Sequence, residues 1–392
     1  MDIRALAEKL SPYVIERRRF YHAHPELSMQ EWCTTASLAA ELREMGYAVE
    51  TFADYPGLIA TLETGLPGRT LMLRADIDAL PVQEGTGLPF ASEEVGLMHA
   101  CGHDNHIAML LGAAKILQAV KNEIPGGRVK LIFQSGEELG CGARYYVEHG
   151  CLEGVDAIFG MHVWGSLEAP YLSVEPGNRM ASTDNFEIVV KGVQSHGAAP
   201  QEGRDAIVAA SAIVMALQTF VSRRNDPRNP LVVSVGKFHG GEMYNIICPH
   251  VELVGTVRTY SPQLRNELDS ELRRIVENTA RAYGCEAEVH FHLMHPAMIN
   301  DDTDLNAIAR NAALKLFGPE GLKSMPGTMS GEDFALFAEQ IPAFFAFLGT
   351  RNNEKGLIYT NHNEKYSSDE ECLYRGAALY AQFAFDYLSA TE

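Results

Sequence analysis

Eight consecutive residues, His99-Ala-Cys-Gly-His-Asp-Asn-His106, contain three histidines, one cysteine and one aspartate. Cys thiolate and His imidazole are strong protein ligands for borderline-soft divalent ions. Because Cys101 and His103 are two residues apart, one loop can turn both side chains inward. A His-rich loop also occurs as a polar surface or as a helix cap, so this stretch alone favours a metal site and a structural loop about equally.

Polar groups also recur where predicted strands end. In an open α/β sheet, ligands bind at the carboxyl ends of the strands, so side chains that follow different strands can share one site. Each group by itself is compatible with a solvated turn, a satisfied buried histidine or a surface loop, but their common position favours one functional site. The groups are Arg74-Ala-Asp-Ile-Asp78 after a strand ending at Leu73, Ser135-Gly-Glu-Glu138 after Phe133, Gly160-Met-His162 after Phe159, and Asn361-His-Asn363 after Leu348.

Strand and helix patterns alternate through the first half of the chain. Short apolar runs bounded by Gly and Pro, such as Leu58–Leu62 and Thr70–Leu73, predict buried strands, and helical periodicity separates them. This alternation predicts an α/β fold with a mixed, mostly parallel sheet flanked by helices. Between 184 and 295 the order becomes βαββαβ, which predicts an inserted ferredoxin-like α+β domain. The main domain is therefore predicted to consist of 1–183 and 296–392.

Composition argues against several classes of partner. The 392 residues include 32 Lys and Arg against 51 Asp and Glu, and the net charge of −19 repels nucleic acid and anionic membranes. No uninterrupted apolar run reaches the roughly 18 residues of a membrane span. The first residues predict a charged amphipathic helix without the apolar region of a signal peptide, and the seven cysteines lack close pair spacing, as in a reducing compartment. We therefore expect a cytoplasmic protein.

Seven motif-bearing segments follow one another along nearly the whole chain: Phe20-Tyr-His-Ala-His-Pro-Glu26, Arg74-Ala-Asp-Ile-Asp-Ala-Leu-Pro81, His99-Ala-Cys-Gly-His-Asp-Asn-His106, Gln134-Ser-Gly-Glu-Glu138, Gly160-Met-His-Val163, Ser195-His-Gly-Ala-Ala-Pro200 and Ser330-Gly-Glu-Asp-Phe334. Together they resemble the M20 metallopeptidase family. The likeness is to its cysteine-containing amidohydrolase branch, which includes hippurate hydrolases, N-acyl-amino-acid amidohydrolases and plant indoleacetyl-amino-acid hydrolases. The resemblance implies a zinc-peptidase-like catalytic domain with a lid or dimerisation domain inserted at 184–295.

The resemblance also implies a site with two divalent metal ions in each subunit. Zinc best fits a thiolate ligand, with manganese, cobalt or nickel as alternatives. Glu137 would be the general base that takes a proton from a metal-bound water. The implied ligands are Cys101, His103, Glu138, His162 and His362.

This chain departs from the wider family at one position. Most members have a liganding histidine two residues before an aspartate, where this chain has Asp76-Ile-Asp78. One ligand is therefore missing, and we expect Asp76 and Asp78 to orient the liganding imidazoles. Asp104 is expected to cap the following helix, and His99 and His106 are expected to have supporting or structural roles.

Residues outside the metal site are implied by the same resemblance. His196, on the inserted domain, is expected to reach the partner subunit's site in a homodimer and to stabilise the tetrahedral oxyanion. A homotetramer is the alternative assembly. Asn245 and Arg258 resemble residues that contact the substrate or its carboxylate, and Ser330 and Gly331 are assigned to substrate binding.

The resemblance implies a metal-dependent amidohydrolase that releases an amino acid from an N-acyl or N-aroyl amino acid. The alternative enzyme is a metallo-carboxypeptidase or dipeptidase that uses the same site on a peptide bond. A cytidine-type deaminase would need a Pro-Cys-x-x-Cys pair, and a serine hydrolase would need a Gly-x-Ser-x-Gly elbow; the sequence contains neither. A catalytically silent binding protein is the non-enzyme alternative, and the presence of Glu137 argues against it.

Overall fold

The computed structural model describes residues 2–390 and divides them into two compact units. The larger unit contains the described residues up to Gly177, then Ile299–Pro326, and the chain from Asp333 onward. The smaller unit contains Asn178–Met298 and Gly327–Glu332. The sequence placed the domain boundaries at 184 and 295, and it gave no indication that the short 327–332 segment belongs to the smaller unit. That segment is held there because the Ala181 N–H donates to the carbonyls of Thr328 and Ser330.

Nine α-helices of four residues or more are found among residues 2–390. In chain order they are α1 (Ile3–Ala23), α2 (Trp32–Glu44), α3 (His103–Val120), α4 (Gly142–Glu148), α5 (Ala206–Thr219), α6 (Pro262–Ala282), α7 (Thr303–Phe317), α8 (Ala335–Ala338) and α9 (Leu373–Ser389). Several begin at a capping side chain that satisfies the otherwise unpaired first N–H groups. Asp2, Asp205, Ser261 and Asp302 cap α1, α5, α6 and α7 in this way.

The same residues form fifteen strands. They are β1 (Ala48–Thr51), β2 (Gly57–Glu63), β3 (Thr70–Asp76), β4 (Arg128–Gln134), β5 (Ala157–Glu168), β6 (Leu172–Ser173), β7 (Gly177–Met180), β8 (Thr183–Lys191), β9 (Ser195–His196), β10 (Leu231–Gly240), β11 (Ile246–Ile247), β12 (His250–Thr259), β13 (Glu286–His295), β14 (Met298–Asn300) and β15 (Ala343–Arg351).

The larger unit is built on a seven-stranded sheet in the order β1-β2-β4-β3-β5-β15-β6. Its four central strands, β4, β3, β5 and β15, are parallel, and the strands outside them are antiparallel. The central strands are nearly continuous apolar runs, as expected when helices cover a parallel sheet; all seven residues of β3 are buried. The fold class predicted from the sequence, a mixed and mostly parallel sheet flanked by helices, is confirmed.

Strand β5 is longer than the sequence predicted, and the difference changes the position of His162. The apolar run ends at Phe159, but β5 continues to Glu168 because its pairing with β15 extends from Ile158–Ala343 to beyond Trp164–Gly349. His162 therefore lies within a central strand, not in the loop that follows it. Its backbone is paired with Phe347 of β15.

The smaller unit contains an antiparallel sheet in the order β10-β12-β8-β13, with α5 and α6 packed together. Following the chain as β8-α5-β10-β12-α6-β13, this is the βαββαβ order of a ferredoxin-like sandwich. Alternate residues of β8, namely Phe186, Ile188 and Val190, are buried in its core. A short separate pair joins β9 to β11.

Helix α5 and the π-turn after it, Ala206–Arg224, are long and apolar enough to cross a membrane by length and composition, with a mean hydropathy of 1.6 over the best window. Core helices of soluble proteins have the same length and composition, so one such helix is weak evidence for a span. One face, including Ala209, Ile213 and Leu217, packs in the core of the smaller unit. Val208 and Met215 are exposed.

Candidate metal centre

A left-handed glycine brings Cys101 and His103 into the same site. Gly102 has a φ of 95°, and a Cβ at this position would lie 2.6 Å from Val163 Cγ2, so any side chain here would be both strained and crowded. The chain turns sharply at this glycine, and His103 becomes the first residue of α3. Both side chains are buried.

Five donor atoms converge at the carboxyl end of the central strands. Cys101 Sγ lies 3.4 Å from His162 Nε2 and 3.3 Å from His362 Nε2. Glu138 Oε1 lies 3.4 Å from His362 Nε2 and 3.9 Å from His103 Nε2. We call these atoms the five-donor cluster. The structure therefore brings together all five side chains that the sequence identified as ligands, from four separate parts of the chain.

Hydrogen bonds fix which ring nitrogen of each buried histidine faces the cluster. His103 Nδ1 bonds to the carbonyl and carboxylate of Asp78, at 2.9 and 3.1 Å, and His162 Nδ1 bonds to the Val163 carbonyl at 2.6 Å. Each Nδ1 donates, so in the neutral ring, the form that binds a metal, each Nε2 presents a lone pair to the cluster. His103 Nε2 and Glu138 Oε1 are buried and have no hydrogen-bond partner among the described residues. Orphaned acceptors that face one another fit a bound cation.

The charge around the cluster also favours a cation. Burial alone would lower the pKa of His103, but the carboxylates of Asp76, Asp78 and Glu138 raise it to about 10. Burial and the nearby carboxylates also raise the pKa of the Cys101 thiol well above its ordinary value. Both groups therefore retain protons at neutral pH, and divalent cations would displace those protons. The mixture of thiolate, imidazole and carboxylate fits zinc and neighbouring transition metals.

Glu137 lies beside the five-donor cluster on a short turn. The turn, Glu137–Leu139, is a single 3₁₀ segment between Gly136 and Gly140, which have φ values of 71° and 67°. Left-handed glycines at both ends let two successive carboxylates leave the backbone toward the same site. Glu137 is only 8% exposed, and its Oε2 lies 4.0 Å from His103 Nε2.

The two aspartates after β3 have different partners. Asp78 orients His103, and its other oxygen accepts the Glu138 N–H at 2.9 Å. Asp76 instead bonds to His106 Nδ1 and to the Arg74 guanidinium. His106 is not one of the five implied ligands, but Asp76 Oδ2 also lies 3.5 Å from His103 Nε2. That Asp76 orients a liganding imidazole stays a prediction. The side chains of Asp76 and Asp78 diverge because β3 ends at Asp76 and the backbone changes direction before Asp78.

His106 is occupied at both ring nitrogens, because its Nε2 accepts the Val163 N–H at 2.8 Å. It supports the site by fixing β5 to α3. Asp104 does not cap α3, as the sequence suggested, because Gly102 occupies the N-cap. The Asp104 carboxylate instead lies 2.7 Å from Arg18 Nε and 2.8 Å from His22 Nδ1, in a buried network between α1 and α3.

Two further groups at the site have no role in the sequence-based prediction. Asn361 donates to the Cys101 carbonyl at 2.7 Å and accepts the Gly165 N–H at 2.9 Å, so it joins the loop of one ligand to β5. The next residue, His362, has a φ of 70° and donates its N–H to the Ala100 carbonyl. In the sequence, only its position next to His362 indicated that Asn361 belongs to the site.

A second missed group is the buried guanidinium of Arg74. It bonds to Gln134 at 2.9 Å, to Asp76 at 2.8 Å and to Asp333 at 3.1 Å. The network links the ends of β3 and β4 to the chain before α8 and fixes the Asp76 carboxylate. Asp333 lies in the motif Ser330-Gly-Glu-Asp-Phe334, which could have indicated it.

In the smaller unit, His196 lies on β9. Asn245 immediately precedes β11, the strand that pairs with β9. His196 pairs with Ile246, and the Gly197 N–H donates to the Asn245 carbonyl at 2.7 Å. The exposed His196 ring accepts the Ala198 N–H at Nδ1, at 3.0 Å. In the neutral ring the proton therefore resides on Nε2, which is a hydrogen-bond donor.

Arg258, Ser330 and Gly331 lie together in another part of the smaller unit. Arg258 Nη1 donates to Thr183 Oγ1 at 2.9 Å and lies 3.4 Å from the Met329 carbonyl. A Cβ on Gly331 would overlap Thr183 Oγ1, so glycine is required beside this pair.

Comparison with known proteins agrees with the geometry. The sequence model of peptidase family M20/M25/M40 matches residues 72–386. The chain is 40% identical over 375 residues to an N-acetylcysteine deacetylase of Bacillus subtilis, covering 95% of this chain and 96% of that protein. It is 37% identical over 385 residues to thermostable carboxypeptidase 1 of Saccharolobus solfataricus, covering 97% and 96% of the two chains.

A solved structure has the same fold throughout. The Bacillus subtilis YXEP protein, described as a dinuclear metal binding peptidase of the M20 family, superposes with a TM-score of 0.85 at 36% identity, covering 97% of this chain and 99% of that one. Family match, fold and buried donor cluster agree that this protein is a hydrolase acting on amide C–N bonds. The chain belongs to peptidase family M20/M25/M40.

Proposed function

We propose that this protein is a metal-dependent amidohydrolase that cleaves N-acyl or N-aroyl amino acids to a carboxylic acid and a free amino acid. The observation that carries the proposal is the five-donor cluster with Glu137 beside it. The 40% identity to an N-acetylcysteine deacetylase favours an acyl amino acid as substrate. The second candidate, a carboxypeptidase or dipeptidase, is supported by the 37% identity to a thermostable carboxypeptidase.

The side chains of the five-donor cluster, Cys101, His103, Glu138, His162 and His362, would hold two divalent ions, with zinc as the first choice because of the thiolate. Manganese, cobalt and nickel are the alternatives. When bound, such ions activate water and polarise the scissile carbonyl. Asp78 keeps His103 in the tautomer that presents Nε2, and it also fixes the backbone of Glu138.

Glu137 is proposed as the general base. Its carboxylate is almost buried and lies next to the cluster, so a water activated there would be within reach of one of its oxygens. Glu137 would take the proton of that water and deliver it to the leaving amine, which restores the carboxylate for the next turnover.

His196 is proposed to stabilise the oxyanion in the partner subunit's site of a homodimer. Its Nε2–H is a donor on an exposed imidazole, as this role requires. The smaller unit has surfaces suited to self-association: β10 is an edge strand of its sheet, and α5 exposes Val208 and Met215. A tetramer is the alternative assembly.

Mixing two inactive variants tests this arrangement. The His196→Ala variant alone should lose about 10²–10³-fold in kcat. If His196 acts in trans, subunit exchange with a Glu137→Gln variant should restore about a quarter of the sites, because half of the dimers are hybrids with one complete site. Activity should be measured after dilution and remixing, with each variant alone as control. No recovery, with subunit exchange demonstrated by mass, would contradict the trans assignment.

We also propose a cytoplasmic location, which is supported by the state of the cysteines. All seven lie within residues 2–390 and are free thiols, two of them exposed. Exposed free thiols persist in a reducing compartment.

A substrate panel separates the two candidate activities. Metal-reconstituted protein should be assayed for released amino acid with N-acetyl and N-benzoyl amino acids and with dipeptides of the same carboxyl-terminal residue. We expect kcat/KM to be at least about tenfold higher for the acyl amino acids, a difference of about 1.4 kcal/mol in transition-state binding. The reverse order would assign the peptidase. Turnover of neither class, with the metal bound, would leave the catalytically silent alternative.

A further inference from the structure

The turn that carries Glu137 and Glu138 is held by backbone contacts from outside its own segment. The Glu138 N–H donates to Asp78, as described above. The Gly136 N–H donates to Glu31 Oε1 at 2.9 Å. Glu31 occupies the N-cap position of α2, more than a hundred residues earlier in the chain. The residue immediately before Glu137 is therefore fixed by a carboxyl group that the mechanism has not used.

Burying the Glu31 carboxyl group in its surroundings costs free energy of folding. Its side chain is fully buried, and its Oε2 has no hydrogen-bond partner among the described residues. A buried polar atom without a partner has lost its hydrogen bonds to water and gains none in return, which destabilises the folded protein. Helix capping does not explain the residue, since its side chain makes no cap hydrogen bond to α2. Among the described contacts of its side chain, the bond to Gly136 is the one that can justify its position.

The charge state of Glu31 is compatible with a site next to a cluster of carboxylates. Burial, followed by the negative charge of Asp78, raises the pKa of Glu31 to about 8. At neutral pH the group is therefore mainly the uncharged acid, whose carbonyl oxygen still accepts the Gly136 N–H. A glutamine has nearly the same shape and also offers a carbonyl oxygen.

Two other contacts keep the Glu31 segment in place against the turn. Met29 has a φ of 67°, which is rare for a residue with a side chain, and its Sδ lies 3.0 Å from where a Cβ on Gly136 would be. Thr35 Oγ1 donates to the Glu31 carbonyl at 2.6 Å and accepts the Gly57 N–H at 2.7 Å. Glu31 is thus anchored through α2 to β2 of the central sheet, and Gly136 fits closely against Met29.

We propose that Glu31 is a positioning residue that holds the Gly136 amide and so orients Glu137 for proton transfer. The inference rests on the proposed general-base role of Glu137. Glu31 acts on the geometry of the base and not on the substrate, so its loss should lower kcat and leave KM nearly unchanged. Small displacements of a reacting group, of about 1 Å, can cost about 10²-fold in rate.

The experiment compares three variants of the metal-loaded protein. Glu31→Ala should lower kcat by about 10–10²-fold with KM within about twofold, because the Gly136 amide loses its acceptor. Glu31→Gln should retain kcat within about threefold, because its amide oxygen accepts the same N–H. Glu26→Ala is the matched control: Glu26 accepts the Cys33 and Thr34 N–H groups at the start of α2, at 3.0 and 2.7 Å, and does not bond to the turn. It should lower Tm and leave kcat unchanged.

Amide hydrogen exchange of the 135–140 segment gives a readout that needs no substrate. Exchange there should become faster in Glu31→Ala but not in Glu31→Gln or Glu26→Ala. Unchanged exchange and unchanged kcat in Glu31→Ala would overturn the positioning role, and so would a loss of kcat in Glu26→Ala equal to that in Glu31→Ala. If Glu31→Ala does not fold, a Glu31→Gln variant with wild-type Tm but strongly reduced kcat would overturn it. Failure of the wild-type protein on the substrate panel would count against the proposed function, and the exchange result would still decide the contact.

Discussion

Replacing Glu137 with Gln should lower kcat by about 10²–10⁴-fold while the bound metal stays in place. The amide has the shape of the carboxylate but cannot take a proton. Glu137 Oε2 lies 4.0 Å from His103 Nε2, close enough to the five-donor cluster to serve a water activated there. Its burial shields it from bulk solvent, so no other base replaces it easily. The measurement is kcat with the preferred substrate of the panel, together with metal content by elemental analysis.

The adjacent carboxylate provides the matched control. Glu138 Oε1 lies within 3.9 Å of two imidazole nitrogens, so Glu138→Gln should lower metal content as well as activity. The two variants therefore distinguish the proposed general base from the proposed metal ligand, although both residues lie on the same turn. A Glu137→Gln variant with near-normal kcat would contradict the general-base assignment. Loss of metal from Glu137→Gln would move this residue into the ligand set.

The second large effect is expected from Cys101→Ser, which should release at least one metal ion from each subunit. Cys101 Sγ is the donor that lies within 3.4 Å of both His162 and His362. A serine hydroxyl keeps its proton at neutral pH and is a poor ligand, so the cluster loses the thiolate that metal binding would create. Loss of an outer-shell partner alone typically costs 10–100-fold in metal affinity, and loss of a ligand should cost more.

Cys151→Ser is the control for general effects of the substitution. Cys151 is also buried and free, and burial raises the pKa of its thiol to about 12, but it is not part of the five-donor cluster. Both variants should be reconstituted, dialysed against a weak chelator and analysed for metal and for Tm. Cys151→Ser should keep full occupancy. Full occupancy and activity in Cys101→Ser would return Cys101 to the class of ordinary buried cysteines.

Sequence and structure agree on the chemistry of the site for an identifiable reason. Whether a side chain can bind a metal is a property of its residue type. In the sequence, Cys101, His103 and Glu138 also lie next to or close to Gly102 and Gly136, which indicate turns. The fold class follows from the alternation of strands and helices, which burial of a parallel sheet imposes on the sequence. Family resemblance then connected His162 and His362 to the same site.

The hydrogen-bond partners of the site residues could not be predicted from the sequence in the same way. Asp76 and Asp78 are two residues apart and chemically identical, yet one holds His106 and the other holds His103. Which acid bonds to which imidazole depends on where β3 ends and on how the chain turns after it. Sequence pattern does not resolve such distances.

The residue types and their order along the chain thus predicted the α/β fold and, through the family resemblance, the proposed ligand set and the candidate base. Only the tertiary structure decided that His162 lies inside β5, that 327–332 belongs to the smaller unit, and that Asn361 and Glu31 bond to the backbone beside the site. Each of these facts is a contact between segments far apart in the chain. Hydrogen bonds and strand pairing between distant segments form only when the whole core is assembled, so the local sequence carries no record of them.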